Sequence, residues 1–269
     1  MLGKITGSAR RLSPAIALAA LALAAFASSG CQQLGQKFGD VTGSIGAPAP
    51  SPDEGRARAV LSQLQGRYES NPGEKTASIA YARSLRAFTR YDEAVAVMQA
   101  AAVKAPKDEE VLGAYGKALA DAGQLSQARD VLTRAYTPDN PKWDVMSVQG
   151  SVADRLGDHS AALAFYRSAL KIAPDEPSIL TNLGLSYALA KRLPDAERSL
   201  RDAAASPKAG ARTRGDLALV LALEGKYSEA EQIAQTDLSP EAARANVEAV
   251  RRMAAGGVGK AAGSEGKAG

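Results

Sequence analysis

The chain has 269 residues and a formal net charge of +4 at pH 7, and aromatic residues make up only 5% of it. This length accommodates one or two domains, and no stretch shows the sustained alternation of apolar and polar residues that is typical of a β-strand. A single cysteine excludes an intramolecular disulfide, and a single histidine excludes a histidine-based metal cluster.

Residues 1–30 have the pattern of an export signal. A basic start is followed by the apolar run 15–27, which is too short to span the hydrocarbon core of a membrane as a helix. The basic residues of this start are Lys4, Arg10 and Arg11. Their removal would lower the net charge to about +1, so the charge gives no reason to expect nucleic-acid binding.

The only cysteine, Cys31, lies directly after small residues at the end of the apolar run. This arrangement is similar to the lipobox of bacterial lipoproteins. The resemblance implies that the Cys31 thiol is lipidated and anchors the protein to the membrane. In that family, a residue other than Asp after the cysteine implies sorting to the outer membrane. The residue here is Gln32, so the resemblance implies an outer-membrane lipoprotein that faces the periplasm. Two alternatives are ordinary signal cleavage beside Cys31 and an uncleaved anchor.

The next segment, residues 31–52, is rich in Gly, Ala, Ser and Pro. Such a composition cannot bury enough apolar surface to order itself, so we expect a flexible membrane tether. Residues 53–69 then have the apolar spacing of a helix. We interpret this helix as the second half of a degenerate first repeat that caps the fold.

A pattern of 34 residues then occurs five times without insertion, in frames 75–108, 109–142, 143–176, 177–210 and 211–244. Each frame has a small residue at place eight and an alanine at place twenty, which would let two helices approach closely. The small residues are Ala82, Gly116, Gly150, Gly184 and Ala218, and the alanines are Ala94, Ala128, Ala162, Ala196 and Ala230. Larger residues between them would fill the remaining space, since protein interiors tolerate few voids.

Glycines and prolines mark the predicted helix ends within the frames. Gly123, Gly157 and Gly225 lie where the first helix of a frame would end, a place where a left-handed residue favours glycine. Pro106 and Pro174 follow the second helix, which proline cannot continue. Each frame therefore predicts a pair of antiparallel helices joined by a tight turn.

The period and the residue pattern resemble the tetratricopeptide repeat (TPR). The resemblance implies an all-α fold, a right-handed superhelical TPR solenoid over residues 53–253. Ser239 and Pro240 would open a capping helix, 239–253, that covers the last hydrophobic face. Residues 254–269 are rich in Gly, Ala and Lys, and we expect them to be disordered.

The first helix of each pair lines the concave groove in TPR proteins. Carried onto this chain, the groove places give Arg83, Lys117, Ser151, Arg155, Asn182, Leu185, Leu189, Leu219 and Leu223. The N-terminal half of this set is charged, whereas the apolar C-terminal half would receive an extended segment or an amphipathic helix of a protein partner. The alternative for Leu219 and Leu223 is that the capping helix covers them.

The sequence contains no catalytic constellation, so we expect no enzyme activity, no cofactor and no metal site. His159 is the only histidine and lies at the seventeenth place of its frame, where Tyr91 and Tyr227 lie in theirs. We interpret it as a packing residue at the hairpin turn.

The whole layout resembles the TadD family of TPR lipoproteins, which serve the tight-adherence (Flp) pilus assembly system. The resemblance implies a non-catalytic factor that helps the pilus secretin or other subunits to assemble or localise at the outer membrane. One alternative is a general periplasmic scaffold or chaperone-like adaptor for envelope assembly. Another is a subunit associated with an enzyme or with polysaccharide export.

The lipid anchor has a direct test. We expect a Cys31→Ala variant to leave the membrane fraction for the soluble fraction, because it lacks the thiol that would carry the lipid. Immunoblots of fractionated cells measure this. Full retention of the variant in the membrane fraction would contradict lipidation at Cys31.

Overall fold

A computed structural model describes residues 52–262. The regular elements in this range are twelve α-helices, together with one isolated β-bridge between Thr137 and Asn140. None of these helices is both long enough and apolar enough to cross a membrane. The predicted export signal, Cys31 and almost all of the predicted tether lie outside the described residues.

The helices have the following bounds. They are α1 (Pro52–Ser70), α2 (Lys75–Ala87), α3 (Tyr91–Lys104), α4 (Glu109–Asp121), α5 (Leu125–Leu132), α6 (Trp143–Arg155), α7 (His159–Ile172), α8 (Pro177–Leu189), α9 (Leu193–Ala204), α10 (Ala211–Leu223), α11 (Tyr227–Ala234) and α12 (Pro240–Ala262). Helices α2, α4, α6, α8 and α10 each begin at the first residue of a predicted frame. Helices α3, α5, α7, α9 and α11 each begin at the seventeenth place. The all-α repeat fold predicted from the sequence is thus confirmed.

Close contact between the helices of a pair requires the small residues at place eight. A Cβ atom added to Gly150 would lie 2.6 Å from Cε1 of Tyr166, and one added to Gly184 would lie 2.6 Å from Cγ of Leu200. The alanines at place twenty in the five frames are fully buried. At Gly150 and Gly184 even an alanine would force the facing side chain to shift, so the small residue there is a packing requirement.

Residues 52–220 form one compact unit. Its core continues from one helix pair to the next, and its largest fully buried side chains include Leu85, Met98, Leu119, Leu132 and Tyr166. Helix α1 packs against α2, where the rings of Tyr68 and Tyr81 lie 5.5 Å apart. Such a core forms between neighbouring repeats, as expected for a repeat protein.

Residues 221–262 belong to a second unit, in which α11 packs against α12. The guanidinium of Arg251 in α12 lies 5.2 Å from the ring centre of Tyr227. As predicted, Ser239 caps α12, since its hydroxyl oxygen accepts a hydrogen bond from the amide of Ala242 (3.3 Å). The helix continues past residue 253 to Ala262, through a stretch whose alanines favour helix.

A left-handed residue ends the turn between the two helices in all five frames. Gly123, Gly157 and Gly225 have φ near +80°, as their position predicted. At the same fifteenth place, Thr89 and Lys191 have φ of 57° and 60°. An L-residue in this conformation costs roughly 1–2 kcal/mol because its Cβ crowds the following carbonyl oxygen. The turn geometry therefore overrides the preference of Thr89 and Lys191 for a negative φ.

We expect Lys191→Gly to raise the free energy of unfolding by about 0.5–1 kcal/mol, since glycine removes this steric strain but increases the entropy of the unfolded chain. Urea denaturation of the full-length protein measures the change. Gly157→Ala is the matched control, because it introduces the strain at the same place of another frame and should destabilise the fold. A Lys191→Gly variant less stable than its parent would contradict the account.

Candidate protein-binding groove

Helices α2, α4 and α6, the first helices of three successive frames, line a groove of about 570 Å³. Its floor is made of small or apolar residues, Ile79, Ala82, Gly113, Ala114 and Val145. Charged side chains from the same helices and from the turns before them form its walls. The groove is on the face where the TPR resemblance placed the partner-binding residues.

Ion pairs join α2 to α4 along this groove. Lys75 Nζ donates to Asp108 Oδ2 (2.9 Å) and lies 2.7 Å from Glu110 Oε2, and Arg86 Nε donates to Asp121 Oδ2 (2.6 Å). The hydrogen bond from Lys75 is the main reason that the pKa of Asp108 lies below its usual value. Each pair is partly exposed and adds little stability, but together they align residues one repeat apart.

Two predicted binding residues, Lys117 and Arg155, form hydrogen bonds between α4 and α6. Lys117 Nζ donates to Asp144 Oδ2 (2.5 Å), and the guanidinium of Arg155 donates to the carbonyl oxygen of Ala120. These contacts link residues that are 27 and 35 positions apart, in successive frames. Lys117 and Arg155 thus have structural partners, and a ligand would have to compete with these partners.

The contact between α6 and α8 uses a third predicted residue, Asn182. Its Nδ2 donates to Ser147 Oγ (3.1 Å), and Ser186 Oγ donates to Asp154 Oδ1 (2.9 Å). Burial raises the pKa of Asp154 above its usual value. The carboxylate also contacts His159 Nδ1 at 2.9 Å, which places the only histidine in a structural hydrogen bond at the hairpin turn.

The remaining predicted groove residues differ in exposure. Arg83 lines the groove and is exposed, and Ser151 is half-buried. Leu185 and Leu189 are half-buried and share a face of α8 with Asn182, from which they are three and seven residues away. Leu219 is buried, with 7% of its surface exposed, whereas Leu223 is 43% exposed. A role for any of them in binding stays a prediction.

Two charged residues of the first-helix face were not predicted from the sequence. Lys142 lines the groove from the turn before α6. Asp216 in α10 occupies place six, the same place as Asn182 in its own frame, and burial raises its pKa to about 6. Arg212 Nε lies 3.8 Å from Asp216 Oδ2 and partly offsets this cost. A comparison of all frames at the last place and at the sixth place would have identified Lys142 and Asp216.

The described part of the chain contains no group of three or more His, Cys, Asp or Glu side chains that could hold a metal ion. The polar side chains of the groove bind one another or point to solvent. Such an arrangement suits recognition of a protein segment through charge and shape.

The raised pKa of Asp216 predicts a pH-dependent stability. A carboxyl whose pKa is higher in the folded than in the unfolded state favours folding when protonated, so its contribution is complete below pH 4 and is lost as the pH rises through about 6. We therefore expect Asp216→Asn to stabilise the protein by about 1–2 kcal/mol at pH 8 and by almost nothing at pH 4.

Thermal unfolding of both chains at pH 4 and pH 8 measures this difference. Asp202→Asn is the control, because Asp202 is an exposed aspartate in α9. The account fails if Asp216→Asn gives no larger gain at pH 8 than at pH 4, or if the Asp202 control gives the same gain.

Comparisons with known proteins agree with this architecture. A family model described as tetratricopeptide repeat matches residues 55–109 and 114–177. No curated protein sequence matches the chain. The solved structures described next are 17–22% identical to this chain, so these similarities bear on the fold alone.

Three solved structures represent these similarities. A thermophilic TPR protein from Thermus thermophilus is 22% identical with a TM-score of 0.56, over 63% of this chain and 92% of its own. PilW, a widely conserved type IV pilus biogenesis factor, is 18% identical with a TM-score of 0.59, over 69% and 88%. A chain of the APC/C hetero-tetramer Cut9–Hcn1 is 17% identical with a TM-score of 0.59, over 72% and 40%. The chain therefore has the TPR fold, a scaffold on which proteins generally bind other proteins.

Proposed function

We propose that this protein is a non-catalytic, lipid-anchored TPR factor that binds protein partners. In this proposal it helps to assemble or localise a Flp (tight-adherence) pilus, or a related secretion machine, at the outer membrane. The observation that carries the proposal is the groove of α2, α4 and α6, a concave face with an apolar floor and charged walls.

The pilus assignment rests on the layout of the whole chain. The predicted export signal (residues 1–30), Cys31, a Pro- and Gly-rich segment, the repeats and a closing helix follow one another in an order that resembles the TadD family. The fold shared with PilW is consistent with a role in pilus biogenesis. The secretin or another subunit of the pilus machine is the partner that this assignment favours.

The second candidate function is a general periplasmic scaffold or chaperone-like adaptor. The fold shared with a chain of the APC/C hetero-tetramer Cut9–Hcn1 is consistent with it, because it relates this chain to a protein assembly. The two candidates differ in the partners they expect. A pilus factor should bind pilus components, whereas a general adaptor should bind other envelope proteins.

The apolar stretch of α8 offers a second part of the binding surface. Leu185 and Leu189 are half-buried and lie one helical turn apart on one face. A charged side chain at either place would oppose the docking of an apolar partner segment. Since neither residue is fully buried, their substitution should leave the helix pair folded.

Affinity capture from detergent-solubilised envelope tests this function. We expect the parent chain to recover a secretin or another pilus component, and a Leu185→Glu/Leu189→Glu variant to lose it. The control is Val103→Glu/Ile172→Glu, which changes two exposed apolar residues on second helices by the same charge. Circular dichroism of all three chains verifies that they are equally folded.

Each other outcome has a clear meaning. Equal capture by the parent and the Leu185/Leu189 variant contradicts the apolar part of the surface. Capture of envelope proteins without any pilus component favours the general scaffold. Loss of capture in the Val103/Ile172 control would place the binding surface on the second helices instead.

A further inference from the structure

We propose that a second cavity, between α5 and the helix pair α6–α7, binds a tyrosine side chain of a partner protein, and that Gln149 donates a hydrogen bond to the tyrosine hydroxyl. The cavity lies beside second helices of the repeats, whereas the groove of α2, α4 and α6 is formed by first helices. The inference therefore goes beyond the proposed function and adds a separate binding site.

The cavity has a volume of about 290 Å³, and most of its wall is apolar. Its apolar side chains are Val152, Ala153, Leu156, Ala161 and Phe165. Leu156 is 40% exposed, although large apolar side chains are usually buried. An apolar side chain that entered the cavity would remove this surface from water, and such burial is favourable.

The cavity lies where one interface between repeats lacks an apolar filling. Gln149 and Arg129 line it, and they occupy place seven of the third frame and place twenty-one of the second. The same two places give Leu61 and Tyr81, Val95 and Tyr115, Leu163 and Leu183, and Glu197 and Leu217 at the other interfaces. Only the interface with Arg129 and Gln149 is polar at both places. The repeat register thus indicates a space that an apolar side chain from outside can fill.

Gln149 gives this space a hydrogen-bond donor. The residue is only 6% exposed, and its Oε1 accepts a hydrogen bond from the hydroxyl of Tyr136 (3.0 Å). Within the described residues, no acceptor contacts its Nε2. Because a sheltered amide N–H without an acceptor costs free energy, a ligand that supplies an acceptor gains affinity. The site therefore suits a ligand with an apolar body and an acceptor at its tip.

A tyrosine side chain has this combination. Its ring is apolar, and its hydroxyl oxygen can accept a hydrogen bond from Gln149 Nε2. Tyr81 and Tyr115, at place seven of the two preceding frames, show that the repeat accommodates a side chain of this size between its helices. Phenylalanine or leucine would cover the apolar wall but would leave Nε2 without an acceptor.

The tyrosine has to come from a different protein. Residues 1–51 and 263–269 contain no tyrosine, so neither end of the chain can supply one. The eight tyrosines of the chain all lie within the described residues, where each is buried or half-buried. A second copy of the chain therefore presents no exposed tyrosine to this cavity.

Fluorescence anisotropy of the full-length protein in detergent tests the inference. The probe is a labelled peptide with one tyrosine among serine and alanine residues, and two comparison peptides have phenylalanine or leucine in its place. We expect the tyrosine peptide to bind about fivefold more tightly than the phenylalanine peptide, as one additional hydrogen bond between neutral groups would produce.

Ala161→Leu tests the location of the site, because the larger side chain would fill the cavity from its wall. We expect this variant to bind the tyrosine peptide at least about tenfold more weakly than the parent. The matched control is Ala164→Leu, the same change at an exposed residue of α7, which should bind as the parent does. Thermal unfolding of the three chains verifies that they are equally folded.

Gln149→Leu tests the hydrogen bond. It gives place seven the residue type of Leu183 and Leu217, so we expect the fold to remain intact. Without the amide donor, the preference for the tyrosine peptide over the phenylalanine peptide should disappear. Loss of the preference in a folded chain would assign it to Gln149.

Four results would overturn the inference. They are no binding of the tyrosine peptide up to about 1 mM, equal affinity of the parent for the tyrosine and phenylalanine peptides, undiminished binding by Ala161→Leu, and an unchanged tyrosine preference in Gln149→Leu. Failure of the inference would leave the proposed function intact, because envelope capture with the Leu185/Leu189 variant tests the first-helix face.

Discussion

In the repeats with glycine at place eight, the two helices approach so closely that a single added carbon would collide with a side chain of the second helix, as at Gly150 and Gly184. This constraint explains the fixed small residues, the fully buried alanines at place twenty and the constant length of the frames. It also brings the first helices of neighbouring frames side by side. Ile79, Ala82 and Gly113 then form an apolar groove floor, with longer charged side chains above it.

Once the first helices are adjacent, most of their polar side chains bind one another. The partners are 27 to 35 residues apart, as in Lys75–Asp108, Lys117–Asp144 and Asn182–Ser147. These contacts align neighbouring repeats more than they stabilise them, because exposed ion pairs contribute little free energy. They also divide the groove charges into two classes. Paired side chains position the helices, whereas Arg83 and Lys142 line the groove and form no ion pair within the described residues.

Much of the fold followed from the sequence because the repeat period sets the position of every helix. The left-handed glycines, such as Gly123, were also predictable, whereas Thr89 and Lys191 adopt the same conformation against their own preference. The candidate site was less predictable. The family pattern identified Lys117 and Asn182 as groove residues, but their pairing depends on distances between repeats, which a pattern does not contain.

Photo-crosslinking in living cells tests most directly whether the face formed by the first helices binds the partner. A benzophenone side chain would replace Ile79 on the groove floor in one chain and Val103, which is 76% exposed on a second helix, in another. The account predicts a specific adduct with a partner protein from position 79 and none from position 103. An adduct that forms from position 103 and not from position 79 would contradict it.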